Sequence, residues 1–155
     1  MTFPLLPKNN NKQAPVSLVL LAEDLLVSLA DYAMAKDVQL VLYPPTVPLF
    51  SLLPATEFGA VLTTVIRYLI NHMGTPRILA LHIQAGDQYA SIEVSGMGYS
   101  GIDRLHLYVQ DTTDVYKTGL SGVSAWLETN MGQALWYDSK PGTGDRFLLR
   151  VKMNG

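Results

Sequence analysis

Gly119-Leu120-Ser121-Gly122 and, after it, Trp136-Tyr137-Asp138-Ser139-Lys140-Pro141-Gly142-Thr143-Gly144-Asp145-Arg146-Phe147 decide how this chain is read. The first run leads into Ser121 to Met131, which reads as a helix ending near Gly132. The second is a strand (Ala134 to Asp138), a turn, and a second strand (Arg146 to Lys152). In that last strand Phe147, Leu149 and Val151 share one face, while Arg146, Arg150 and Lys152 share the other. One side is built for a core and the other for water.

On the N-terminal side, the clearest helix is Thr56 to His72, with Thr56 as the expected N-cap. Phe58, Val61, Leu62, Val65, Leu69 and Met73 fall on one face at helical spacing. Ile78 to Ile83 and Tyr89 to Val94 read as strands of a hairpin turning at Ala85-Gly86-Asp87. Nearer the N-terminus, Val16 to Leu20 reads as a short strand and Ala22 to Lys36 as a helix broken by Asp37. A strand follows over Val38 to Tyr43. Pro44, Pro45 and Pro48 force an irregular connection. Gly96 to Gly122 reads mostly as loop, with a short helix around Asp103 to Val109. Residues 1–14, rich in Pro, Asn and Lys, read as a tail or linker ahead of one domain over 15–155. This order gives a two-layer α/β sandwich: a mixed, mostly antiparallel sheet with helices on one face.

Composition narrows the chemistry. With 155 residues the chain can bury one self-sufficient core. A net charge of −2 gives no reason to expect nucleic acid or an acidic membrane as partner. Cysteine is absent, which excludes disulfides, thiolate nucleophiles and cysteine-ligated metal. Val16 to Leu21 is too short to span a bilayer, so no direct membrane insertion is expected. The expected setting is cytoplasmic, including the case of a domain excised from a membrane-anchored protein. Asp111, Asp114 and His106 are grouped too loosely for a metal site and read as a solvated loop. No Gly-x-Ser-x-Gly elbow follows a strand, which disfavours a hydrolase.

The order of elements, the glycine-rich runs and Ser139-x-Pro141-Gly142-x-Gly144 with Phe147 resemble the histidine-kinase-like ATPase fold of sensor kinases, gyrase-type ATPases and related chaperones. The resemblance runs from about Leu18 to Met153. It implies a nucleotide cleft, and it implies where the gripping residues belong. The family's magnesium-binding Asn falls on Tyr68, with Thr64 at the polar site one turn earlier. A shifted register puts Asn71 there instead, with a poorer fit to the apolar pattern. The family's adenine-binding Asp falls on Gly96 or Val94, within Val94-Ser95-Gly96-Met97-Gly98-Tyr99-Ser100-Gly101, and neither register supplies a carboxylate. The phosphate-cradling loop falls on Gly119 to Gly122 with altered spacing, and the adenine-supporting Thr falls on Arg146.

The vestigial cleft implied by the resemblance is thus Thr64, Tyr68, Asn71, Gly96, Gly98, Ser100, Gly119, Gly122 and Arg146. No catalytic residue, metal or cofactor is expected, since tyrosine is no amide-oxygen ligand for magnesium. His72, His82 and His106 lack the following acid of the family's phosphoacceptor. His72 reads as a helix-end residue and His82 as a surface or edge residue; Trp126 and Trp136 read as core. The expectation is a catalytically inactive, kinase-like domain acting through protein contacts in a bacterial two-component phosphorelay. Its partner would be a phosphotransfer or receiver domain. Tyr99, Tyr108, Tyr116, Lys140, Arg146, Arg150 and Lys152 are the candidate contact residues, the basic ones at a sheet edge. The alternative is a divergent but active histidine kinase domain using Mg-ATP. A partner-switching module of the same fold is a third reading, disfavoured because such modules keep the nucleotide residues.

Overall fold

A computed structural model describes residues 14–74, 76–96, 120–130, 133–140 and 144–153. The chain begins with β1 (Val16–Ser17), α1 (Leu18–Ser28) and α2 (Ala30–Ala35). The apolar run from Val16 is therefore strand for only two residues. Ser17 ends it: its hydroxyl accepts from the Leu20 amide at 3.2 Å, so the helix starts a turn earlier than the sequence pattern gives. The expected single helix is two, divided at Leu29.

Asp37 stops α2 by adopting φ 59°. The Asp37 amide bonds to the Met34 carbonyl at 3.0 Å and the Val38 amide to the Ala33 carbonyl at 2.9 Å. That is the Schellman arrangement, with aspartate where glycine is usual. β2 (Gln39–Tyr43) and β3 (Phe50–Ser51) flank the proline-rich connection. β3 pairs with β1 in a small two-stranded ribbon. The buried Ser51 hydroxyl donates to the Lys152 carbonyl at 2.6 Å, tying the ribbon to the end of the main sheet.

α3 (Ala55–His72) starts at the residue after Pro54, so Thr56 lies in its first turn and is not the N-cap. Proline fixes the φ that launches the helix, and the Phe58 amide reaches the Pro54 carbonyl at 2.9 Å. The expected apolar face is correct: Phe58, Val61, Leu62, Val65, Leu69 and Met73 are all buried. Arg77 closes the far end. Its Nη1 donates to the Met73 carbonyl at 2.9 Å, its Nη2 to that of Ile70 at 3.1 Å and its Nε to that of Lys36 at 2.9 Å. One guanidinium thereby caps α3 and holds the end of α2 against it.

β4 (Ile78–Ala85) and β5 (Tyr89–Gly96) form the expected hairpin, each strand two residues longer than its pattern. Gly86 is required at the turn, since a Cβ there would sit 2.6 Å from the Tyr89 carbonyl oxygen. α4 (Leu120–Thr129), β6 (Gln133–Lys140) and β7 (Gly144–Lys152) complete the described chain.

The main sheet has five strands in the order β2-β4-β5-β7-β6. β2 and β4 run parallel; the other neighbours are antiparallel. One face carries Leu79, Leu81, Ile83, Ile92, Val94, Phe147, Leu149 and Val151, all packed into a single core with α1, α3 and α4. The architecture is the expected two-layer sandwich with a mostly antiparallel sheet. One placement differs: β7 is interior, so Arg146, Arg150 and Lys152 lie on the face of the sheet that no described helix covers and not along its edge. His82 is likewise exposed on an interior strand, stacked on Tyr43 at 4.8 Å. Strand order is set by pairing between distant segments, which no local pattern carries.

Candidate functional site

α3 brings the candidate residues to the corner where it crosses β5 and β7. Thr64, Tyr68 and His72 follow one another at four-residue spacing along one stripe of the helix. Tyr68 is 5 % exposed. Its ring meets Phe147 edge-on, centroids 5.8 Å apart at 88°, and lies 4.4 Å from the His72 ring. Phe147 stands opposite Val94 in the β5–β7 ladder, and Gly96 ends β5 two residues on. A Cβ on Gly96 would lie 3.3 Å from Cε of Met73, the C-cap of α3, and 3.8 Å from Cδ2 of Leu69, the residue after Tyr68. Tyr68, Phe147 and Gly96 therefore share one corner of the inner sheet surface.

Polar groups near this corner are engaged elsewhere. The Thr64 hydroxyl donates back to the Ala60 carbonyl at 3.0 Å. His72 Nδ1 lies 2.8 Å from the Tyr68 carbonyl oxygen and donates to it. Asn71 is exposed, and its side-chain oxygen accepts from the Tyr32 hydroxyl at 2.7 Å. That tyrosine ring is covered by the Arg67 guanidinium at 4.5 Å. The amide oxygen of Asn71 thus faces α2. β5 itself has no carboxylate residue at its end, and the residue paired opposite Gly96 is Asp145 of β7. Glu93 lies on the opposite face of the sheet, 3.6 Å from Arg146.

Arg146 is not brought to the corner. It alternates with the buried Phe147, so its side chain occupies the uncovered face with Glu93. Gly122 lies in the first turn of α4, and a Cβ there would meet nothing within 4 Å, so no close approach demands glycine. Arg150 and Lys152 are exposed on the uncovered face, and Lys140 ends β6 opposite Gly144. Gly98, Ser100, Gly119, Tyr99, Tyr108 and Tyr116, with the short helix expected around Asp103, lie outside the described residues.

Trp126 makes a link that sequence reading did not show. On α4 it donates from Nε1 to Glu57 Oε1 at 2.7 Å and stacks on Phe58 at 5.8 Å, pinning α4 to the start of α3. It is packed against the core as expected, whereas the partner carboxylate is a long-range choice with no local signal. Trp136 is placed in β6 opposite Leu148. Among the described residues, no group of three or more His, Asp or Glu could hold a metal ion, and no helix is long and apolar enough to cross a membrane.

No protein-family model and no curated protein matches the chain. Solved structures do. The nucleotide-free catalytic domain of histidine kinase ThkA superposes with a TM-score of 0.76 at 14% identity, covering 90% of this chain and 95% of that one. A second nucleotide-free crystal form of the same domain gives 0.73. Histidine kinase AdeS of Acinetobacter baumannii gives 0.72 at 17% identity, covering 96% of this chain and 73% of that one.

Proposed function

We propose, for a chain that carries the fold of histidine-kinase catalytic domains, that it works by protein contact and not by nucleotide turnover. It serves as a kinase-like ATPase domain without catalysis, an interaction module of a cytoplasmic two-component phosphorelay. The observation that carries this reading is Tyr68. The resemblance gives its position to a magnesium-binding Asn, and here an aromatic ring is buried there between Phe147 and His72.

Magnesium takes octahedral oxygen ligands at short range. The described groups nearest the corner do not fit that need: Thr64 donates to its own helix and Asn71 serves Tyr32. Gly96 or Val94 leaves β5 without the carboxylate that the resemblance assigns to the adenine amino group. An unmet buried hydrogen bond of that kind costs about 1–3 kcal/mol. Among the described residues, the groups at this corner therefore do not fit Mg-ATP.

The expected partner is a phosphotransfer or receiver domain. Arg150 and Lys152, exposed on the uncovered sheet face, offer cations to an acidic docking surface, with Arg146 half-buried beside them. Isothermal titration with Mg-ATP tests the reading. No heat of binding is expected, and no thermal shift at millimolar nucleotide. A ligand at 100 times its dissociation constant would stabilise the fold by about 2.7 kcal/mol. A micromolar dissociation constant would instead identify a divergent, active kinase domain.

A further inference from the structure

The sheet has two edges, and they are finished differently. β6 carries an irregularity between Gln133 and Trp136 and has Asp138 and Lys140 in its second half. Bulges and charges are the usual devices that stop an edge from pairing with another chain. β2, Gln39-Leu40-Val41-Leu42-Tyr43, has no charge, no proline and no register shift against β4. Among the described residues β4 is its sole strand partner.

The register says which groups β2 leaves outward. The Gln39 amide bonds to the Arg77 carbonyl at 2.9 Å, so Gln39, Val41 and Tyr43 turn their backbone groups toward β4. Leu40 and Leu42 then point both N–H and C=O away from the sheet. Their side chains pack partly against the core, while Val41 belongs to the uncovered face. The apolar triplet Leu40-Val41-Leu42 reads the same in both directions. An antiparallel copy centred on Val41 sets Leu40 against Leu42 twice. Each of these pairs exchanges two hydrogen bonds, and all four outward groups are satisfied. Val41 meets its own copy as the closely approached, non-hydrogen-bonded pair. Pro44 and Pro45, directly after the strand, end the pairing there.

We propose that the β2 edge is a self-recognition surface: two copies of this chain pair β2 with β2 about a two-fold axis at Val41, joining their sheets. A two-fold contact requires a self-complementary patch, and the palindromic, uncharged strand supplies one. Met34, 71% exposed, and Tyr43, 48% exposed, flank the edge and gain cover from the second copy. The proposal is independent of what the cleft binds.

The test is sedimentation equilibrium of the full chain with Val41→Lys and Val41→Glu. Each variant places like charges opposite one another, and an association at least about tenfold weaker is expected. Mixing the two variants in equal amounts restores the dimer. As a second measurement, Val41→Cys introduces the sole thiol of the chain. Mild oxidation is expected to link two copies, since the non-hydrogen-bonded pair sets the Cα atoms about 4.5 Å apart, within disulfide range. Gln84→Cys, on the uncovered face away from this edge, serves as the control and stays unlinked. A wild type that is monomeric at every concentration overturns the proposal. So does a dimer indifferent to both charged variants. If circular dichroism shows a charged variant to be unfolded, the thiol decides alone, and failure to link overturns the proposal.

Discussion

Two stripes of α3 lie side by side and are occupied differently. The core stripe, Phe58, Leu62, Val65, Ile66 and Leu69, is fully or almost fully buried and meets the sheet as the fold requires. The neighbouring stripe, Thr64, Tyr68 and His72, faces the place where the resemblance puts a bound metal and nucleotide. It is filled by a tilted aromatic pair and a hydroxyl turned back on its own helix. Shape and chemistry are specified by different residues of one helix, so one can be retained while the other is replaced. On the proposed reading, Tyr68 has moved from the chemical stripe to the structural one.

The largest expected effect is at Phe147, the floor on which Tyr68 stands. Phe147→Ala removes a fully buried ring from the centre of the sheet and should cost about 3–5 kcal/mol in urea unfolding. Tyr68→Asn restores the family's residue type and is the sharper probe. If Tyr68 is now part of the core, the change costs about 2–4 kcal/mol and yields no Mg-ATP binding by titration calorimetry. A neutral change that confers nucleotide affinity would return Tyr68 to the chemical stripe.

Next comes Arg77, whose three bonds to backbone carbonyls close both α3 and α2. Arg77→Ala should lower stability by about 2 kcal/mol in the same assay. Arg77→Lys should recover less than half, because one ammonium cannot match the planar fork. The smallest effect has the opposite sign. Asp37 holds φ 59° at the end of α2, and Asp37→Gly relieves it, raising stability by about 0.5–1 kcal/mol and the midpoint of thermal unfolding with it.

Much of the framework was legible in the sequence because it is periodic. The buried face of α3 and the alternation of Phe147, Leu149 and Val151 are statements about spacing, and burial follows from them. Val16 to Leu20 misled because a short apolar run satisfies strand and helix alike, and the single hydroxyl of Ser17 decides between them. Thr56 misled because Pro54 starts the helix first. The interior place of β7, the reach of Arg77 to Lys36 and the bond from Trp126 to Glu57 join residues far apart in the chain, and no local pattern encodes them. At the site, the resemblance singled out Tyr68 and Gly96, and the β5–β7 register and the Tyr68–Phe147 contact set them at one corner. The placement of Arg146 across the sheet needed the strand pairing.

The most direct test watches the corner itself. Backbone amide resonances of Thr64, Tyr68 and Gly96 should be followed while the full chain is titrated with magnesium and a non-hydrolysable ATP analogue. Unmoved resonances at millimolar ligand are the predicted result. Saturable shifts centred on Gly96 with a micromolar midpoint would show a working nucleotide site and contradict the account.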